Sequence, residues 1–316
     1  MKAMVIDSFG GQEMMRMEEI PTPEPAPNEV QIRVRYAGVN PIDWKIREGY
    51  LNDRLPHHFP IVLGWDAAGE VSAVGIDVKD FRAGDAVYAY CRKPMIKLGT
   101  FAEYVCVEAS HVALKPTNIS YAEASGIPLT ALTAWQALFE FAQLKKGQTI
   151  LIQAGAGGVG TFAIQFAHLF GATVLTTASA KNHGYVKQLG ADVAIDYTKE
   201  DFVTHVKERY PQGVDVVLES MGGDTLKESL ECVREGGCLV SISEHIDQSY
   251  GKERNIKTGF VFVEPKGDQL KNITQLIEQG KIVAPAVKEF PLSDAAGVLE
   301  LNKKGHTQGK LVLKVN

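Results

Sequence analysis

The rhythm of hydrophobic and polar positions changes once along this chain. Over residues 1–120 the apolar positions come in short bursts. Residues 2–9 and 29–36 read as strands on either side of the proline-rich turn 21–27, and residues 62–74, 86–90 and 101–107 add further short strands. Gly64, Gly69, Gly75, Gly84 and Gly99 punctuate them, and the segment predicts a small irregular barrel. From residue 121 the pattern alternates. Residues 121–143 read as one or two helices broken at Pro128. Apolar strands are then predicted at 149–153, 173–177, 192–197, 214–219 and 238–243, with helices at 158–170, 181–189, 201–210 and 224–234 between them. Continuously apolar strands separated by amphipathic helices imply a parallel sheet covered on both faces, doubly wound by right-handed crossovers. The tail predicts helices at 268–278 and 293–303 and strands at 286–290 and 310–315. Some fifty residues are too few for a third core. The expected α/β architecture is therefore a β-rich domain, 1–120 completed by 265–316, and a doubly wound domain, 121–264, with a cleft between two lobes.

Composition narrows the function without deciding it. A length of 316 residues suits two domains, and 45% hydrophobic with 22% charged residues excludes a disordered or fibrous chain. Lys and Arg number 33 against 38 Asp and Glu, a formal charge of −5, which makes nucleic acid and anionic membrane poor partners. Cys91, Cys106, Cys232 and Cys238 form no CxxC pair and suit neither a disulfide framework nor a zinc cluster. Residues 147–180 carry no Asp, Glu, Lys or Arg, yet no run of about 18 apolar residues spans them. The expectation is a soluble, cytoplasmic protein with reduced thiols.

The sharpest chemical signal is Gly155-Ala156-Gly157-Gly158-Val159-Gly160, a G-x-G-x-x-G directly after an apolar strand and directly before a helix. The first glycine permits the turn, the second lets backbone approach a pyrophosphate, and the third lets helix pack close to strand. Free N–H groups and the positive end of the helix dipole then face the phosphates. An acidic residue some 20 positions on would take the ribose 2′-hydroxyl of NAD. Here the second strand ends Thr176-Thr177-Ala178-Ser179-Ala180-Lys181 with no carboxylate. Ser179 and Lys181 offer a hydroxyl and a positive charge where a 2′-phosphate would lie, so NADPH is expected over NADH; a solvated helix lysine is the other account of Lys181.

These segments together resemble a known family. Residues 38–49 (GVNPIDWKIREG), 63–71 (LGWDAAGEV), 129–135 (LTALTAW), 154–160 and 309–313 (GKLVL) are similar to the zinc-free quinone oxidoreductase branch of the medium-chain dehydrogenase/reductase superfamily, over essentially the whole length. The resemblance implies a GroES-like barrel domain and a Rossmann domain. Its zinc-dependent members carry a Cys in the first segment and Gly-His-Glu in the second. This chain has no Cys in the first, and Trp65 with Asp66 in the second. His57, His58 and Asp66 form at most an improvised ligand set, and exposed loop histidines are the simpler reading, so no metal is expected. A quinone or enone accepts hydride without a Lewis acid because conjugation spreads the incoming charge, which reaches the same substrate class by a separate route.

The resemblance further implies that Asn40 and Asp43 line the acceptor site with Tyr50 at its mouth, Asn40 donating to a developing oxyanion and Tyr50 donating or stacking. Turn chemistry around Pro41 accounts for Asn40 and Asp43 equally well, and packing for Tyr50. By the same resemblance Thr130 approaches the nicotinamide or ribose and Tyr197 the 2′-phosphate region. Ser220, Ser241 and Ser243 follow strand ends where a crevice is expected, and each also reads as a plain polar terminus. With Gly155, Gly157, Gly158, Val159 and Gly160 these make the expected NADPH contacts. Residues 260–263 look like an edge strand that pairs across a two-fold axis in a homodimer. The expected activity is zinc-independent, NADPH-dependent reduction of quinones or other α,β-unsaturated carbonyl compounds. An enoyl-thioester reductase of the same fold and a non-catalytic NADPH-binding protein are the rivals.

Overall fold

The chain opens on β1 (Lys2–Ile6), whose residues from Ala3 onward are buried, and doubles back through β2 (Arg16–Glu19). These are the first elements of a computed structural model that describes residues 1–247, 249–305 and 307–315. In β3 (Glu29–Gly38) alternate residues Val30, Ile32 and Val34 are fully buried, the two-residue period of a strand with one face on a core. A helix absent from the sequence-based expectation follows, α1 (Pro41–Arg47). Its cause is legible afterwards: proline at the first helical position, Asn40 before it and Asp43 reaching back.

The single strand expected at 62–74 is two. β4 (His57–Val62) and β5 (Asp66–Val74) are separated by Gly64, whose φ of +88° turns the chain in a region that side-chain-bearing residues avoid. β6 (Ala86–Tyr90), β7 (Ile96–Leu98), β8 (Tyr104–Glu108) and β9 (Val112–Leu114) complete this stretch. Then come α2 (Tyr121–Ser125), capped reciprocally by Ser120 and Glu123, and α3 (Pro128–Trp135), which runs into a π-helical turn at Gln136–Phe141.

Beyond it strands and helices alternate: β10 (Thr149–Ile152), α4 (Gly158–Leu169), β11 (Thr173–Thr177), α5 (His183–Gln188), β12 (Val193–Ile195), α6 (Phe202–Arg209), β13 (Val214–Glu219), α7 (Gly223–Glu231), β14 (Val233–Ser241), α8 (Ser249–Lys252) and β15 (Lys257–Phe260). All are parallel, in the order β12-β11-β10-β13-β14-β15. Leu151, Leu175, Val217 and Leu239 share a buried cluster with Phe202, Val206, Leu226 and Leu230 of α6 and α7. Their neighbours Ile150, Ile152 and Val174 are equally buried, and α4 packs against the sheet with Phe162 and Phe166 inside. Both faces are covered, which is why these strands read as unbroken apolar runs.

The tail is α9 (Gly267–Glu278), β16 (Val287–Pro291), α10 (Ala295–Lys304) and β17 (Lys310–Lys314). β17 pairs antiparallel with β3, extending the sheet β16-β17-β3-β5-β6-β9 beside the smaller sheet β2-β1-β4-β7. The compact units are Met1–Leu132 with Pro265–Asn316, and Thr133–Glu264. Helix α2 lies against β3 and β5, which places it with the first unit. Among the described residues no helix is long and apolar enough to cross a membrane.

Candidate active site

Between β10 and α4 the chain makes a tight turn held by Gly155 N–H on Thr177 O (3.0 Å) and Gly157 N–H on Ala154 O (3.0 Å). The three motif glycines are not equivalent. A Cβ on Gly155 would lie 2.1 Å from Thr176 Oγ1, and one on Gly160 would lie 2.5 Å from Ala154 O, so both are required by packing. A Cβ on Gly157 would meet only Ala154 O, at 3.3 Å. Gly157 is the N-cap of α4 and has no side chain to bond the first-turn N–H groups. Gly157, Gly158 and Val159 are partly exposed, and the first turn holds no acidic residue. The arrangement leaves bare main-chain donors facing open space, which fits a dinucleotide pyrophosphate.

The neighbouring strand ends bring the next candidates together. Thr177 of β11 lies opposite Ile195 of β12, and Ser179 and Tyr197 each stand two residues beyond that pair. Lys181 is exposed and Tyr197 is 47% exposed, while Asn182 Nδ2 donates to Ser179 Oγ at 3.3 Å. The nearby carboxylate, Asp196, is occupied: it accepts from Thr198 Oγ1 at 2.7 Å and Thr198 N at 3.2 Å, bonds that hold its pKa below the usual range. Ser179 and Tyr197 thus follow adjoining strand ends, with Lys181 two residues past Ser179.

At the end of β13 the structure adds a residue the sequence reading passed over. Glu219 is fully buried, with no cation beside it among its bonded partners. Its Oε1 accepts from Met221 N (2.5 Å) and Gly222 N (2.7 Å), and its Oε2 from Ser241 Oγ (3.2 Å) and Ser243 Oγ (2.8 Å). Ser241 is itself buried and accepts from Ser243 N, and Ser220 Oγ donates to Gln153 O at 3.2 Å. The three serines are gathered at adjoining strand ends, and the hydroxyls of two of them are spent on fixing the loops after β13 and β14.

In the first unit Asn40 and Asp43 are completely buried, at the start of α1. Asn40 N–H donates to Asp43 Oδ2 at 2.8 Å, and Asn40 Nδ2 donates to Asp66 Oδ2 at 2.9 Å. The other oxygen of Asp66 accepts from Leu129 N, in the first turn of α3, at 2.9 Å. Lys310, the first residue of β17 and 4% exposed, donates from Nζ to Asn40 Oδ1 (2.6 Å) and Val39 O (2.7 Å). Burial pushes the Asp43 carboxyl up to about 8 and Asp66 up to about 6, the Lys310 ammonium pulling both back. Burial likewise lowers the Lys310 pKa, opposed by Asp66 and Asp43. Tyr50 is 64% exposed and meets Trp44 edge-on, with ring centroids 5.8 Å apart. Thr130 is buried, and its hydroxyl returns to Gly126 O and Ile127 O of the preceding turn.

Asn40 and Asp43 therefore belong to one buried ionic cluster, and Tyr50 stands on the surface. The members missed in the sequence are Asp66 as a working carboxylate and Lys310. The one available signal was a lysine opening the otherwise apolar run Leu311–Leu313, which reads as an ordinary solvated strand end. Trp65 is buried edge-on to Tyr90, and His57 lies tilted against Phe9 and edge-on to Phe59. Among the described residues no three His, Cys, Asp or Glu side chains are grouped so as to hold a metal ion.

Comparison with known proteins adds relatives over the whole chain. A family model for the alcohol dehydrogenase GroES-like domain matches residues 26–117, and one for zinc-binding dehydrogenases matches residues 189–313. The chain is 37% identical over 323 residues to an NADPH-dependent alkenal/one oxidoreductase of Arabidopsis thaliana, a chloroplastic protein, covering 99% of this chain and 79% of that one. The quinone oxidoreductase of Coxiella burnetii superposes with a TM-score of 0.89 at 36% identity, over 100% of this chain and 99% of that one. The Escherichia coli quinone oxidoreductase, solved with NADPH, superposes with a TM-score of 0.90 at 29% identity over all of both chains.

Proposed function

The chain belongs to the medium-chain dehydrogenase/reductase superfamily, among its quinone oxidoreductases, and from that premise we propose that it is an NADPH-dependent reductase of quinones or α,β-unsaturated carbonyl compounds. The observation that carries the reading is the open N-terminus of α4 at Gly157, set between two glycines that packing alone requires. Bound there, NADPH supplies the hydride. The first-turn N–H groups of α4 hold the pyrophosphate, and Ser179, Lys181 and Tyr197 hold the 2′-phosphate at a corner whose carboxylate is already engaged. Ser220 and Ser243 border the remainder of the cofactor, and the Glu219 bonds keep the serine-bearing loops in place. On the acceptor side Tyr50 meets the substrate directly. Asn40 lies behind that surface, fully buried, with its amino group on Asp66 and its backbone fixed by Asp43, so it shapes the acceptor side from beneath.

Independence from zinc is part of the proposal. It is supported by Trp65, with Asp66 beside it, standing where zinc-dependent members carry the histidine of Gly-His-Glu. So are a homodimer, suggested by β15 at the outer edge of its sheet with the ring of its last residue, Phe260, stacked on Phe262, and a reducing, cytoplasmic setting, in keeping with four buried free cysteines. The test is an NADPH-oxidation screen across ortho-quinones, 2-alkenals and enoyl-thioesters, with and without chelator. Turnover of quinones or alkenals that survives chelation is expected; no oxidation with any acceptor overturns the activity, and loss on chelation overturns the zinc-independence. In parallel, Lys181→Glu should weaken NADPH at least tenfold more than NADH, and equal losses would remove Lys181 from the 2′-phosphate corner.

A further inference from the structure

A buried carboxamide has two orientations that differ little in shape, and only its bonding partners choose between them. Three of the polar positions of Asn40 end on ionisable side chains, and its backbone carbonyl accepts from Asp43 N–H. Its N–H is on Asp43, its Nδ2 on Asp66 and its Oδ1 on Lys310. An ammonium only donates and an ionised carboxylate only accepts. Flipping the amide would set its amino group against the ammonium and its oxygen against the carboxylate. Lys310 spends a second hydrogen on Val39 O, so its own position is fixed by the strand leading into Asn40.

We propose that Lys310 is a positioning residue for acceptor reduction, acting through Asn40: its ammonium locks the carboxamide with the amino group toward Asp66, and Asp66 in turn holds the first turn of α3. The inference rests on the proposed function for its kinetic arm only. The charged and titratable groups around the lock are Asp43 from α1, Asp66 from β5, Lys310 from β17 and the Cys91 thiol just past β6, which burial and Asp66 together push upward. Protonation of Asp66 at its raised pKa removes the pure acceptor and loosens the lock as pH falls through about 6.

The experiment compares the parent protein with Lys310→Met, Lys310→Arg and the double variant Lys310→Met/Asp66→Asn, using NADPH and a 2-alkenal. Lys310→Met is expected to lower kcat at least thirtyfold with the NADPH KM changed less than twofold, and Lys310→Arg to recover part of that loss. The double variant removes both buried charges, so its thermal stability returns toward the parent's while its kcat stays low. A stable double variant with the parent's kcat would overturn the proposal, as would Lys310→Met with kcat and pH profile unchanged. A second measurement does not need turnover. In ¹⁵N-labelled protein the Asn40 side-chain amide signals should shift with a midpoint near pH 6 and move in Lys310→Met; signals indifferent to both would reject the lock. Should the parent oxidise no NADPH with any acceptor, the proposed function fails while this second measurement still decides the orientation.

Discussion

Two carboxylates sit fully buried at strand ends in this protein, and they are stabilised by opposite means. Glu219, ending β13, is satisfied by two backbone N–H groups and two serine hydroxyls, all neutral. Asp66, opening β5, is satisfied by an amide, a backbone N–H and the nearby Lys310 cation. The first solution is assembled from short stretches at the ends of two adjoining strands, and dipoles supply what a counter-ion otherwise would. The second draws on segments near residues 40, 66, 129 and 310, and its charges depend on one another. A dipole-held carboxylate degrades gradually as donors are removed. An ion-held one fails abruptly when the counter-charge goes.

The largest effect expected from that contrast is in Lys310→Met. It leaves Asp66 buried without its cation, and urea unfolding should show a loss of about 3–5 kcal/mol. A loss under 1 kcal/mol would mean that Asp66 simply takes up a proton, and the contrast with Glu219 would vanish. Next comes pH. The Asp66 pKa in the fold, about 6, stands above its ordinary 3.8, so the fold holds a proton that the unfolded chain has already released. Its contribution is full below about pH 4 and falls as pH rises toward 6, by roughly 3 kcal/mol. Asp66→Asn should flatten that part of the curve, and the difference between the two unfolding profiles at pH 4 and pH 6.5 measures it.

Glu219→Gln keeps the shape but turns an amino group toward donors. A loss of about 2 kcal/mol is expected, together with weaker NADPH binding by fluorescence titration as the loops after β13 and β14 loosen. Unchanged NADPH affinity in a destabilised variant would confine Glu219 to a structural role. Ser243→Ala removes one of four donors and should cost only ~1 kcal/mol in the same unfolding assay. A larger drop would show that the four bonds act as a network instead of singly.

The parallel sheet was readable because each strand and helix carries its own signal: 149–153 and 173–177 in the sequence became Thr149–Ile152 and Thr173–Thr177 in the fold. The barrel strands were harder. Their pairing partners are remote, and a break such as Gly64 is set by the turn between β4 and β5, not by any change in apolar rhythm. Helix α1 hid in a motif read as a turn, since Asn, Pro and Asp begin turns and helices alike.

What the sequence determined by itself is the glycine loop between β10 and α4 and the placing of Ser179 and Lys181, the proposed phosphate contacts, just past the end of β11. These lie within one strand–helix–strand run, so spacing alone fixes their relation. What only the tertiary structure decided is the company kept by Asn40: a lysine 270 residues away arrives because β17 pairs with β3, and no local pattern encodes that meeting. Backbone geometry propagates along the chain and can be read there. The bond between Lys310 and Asn40 beside Asp66 takes its weight from burial, which exists only once the sheets have closed around it.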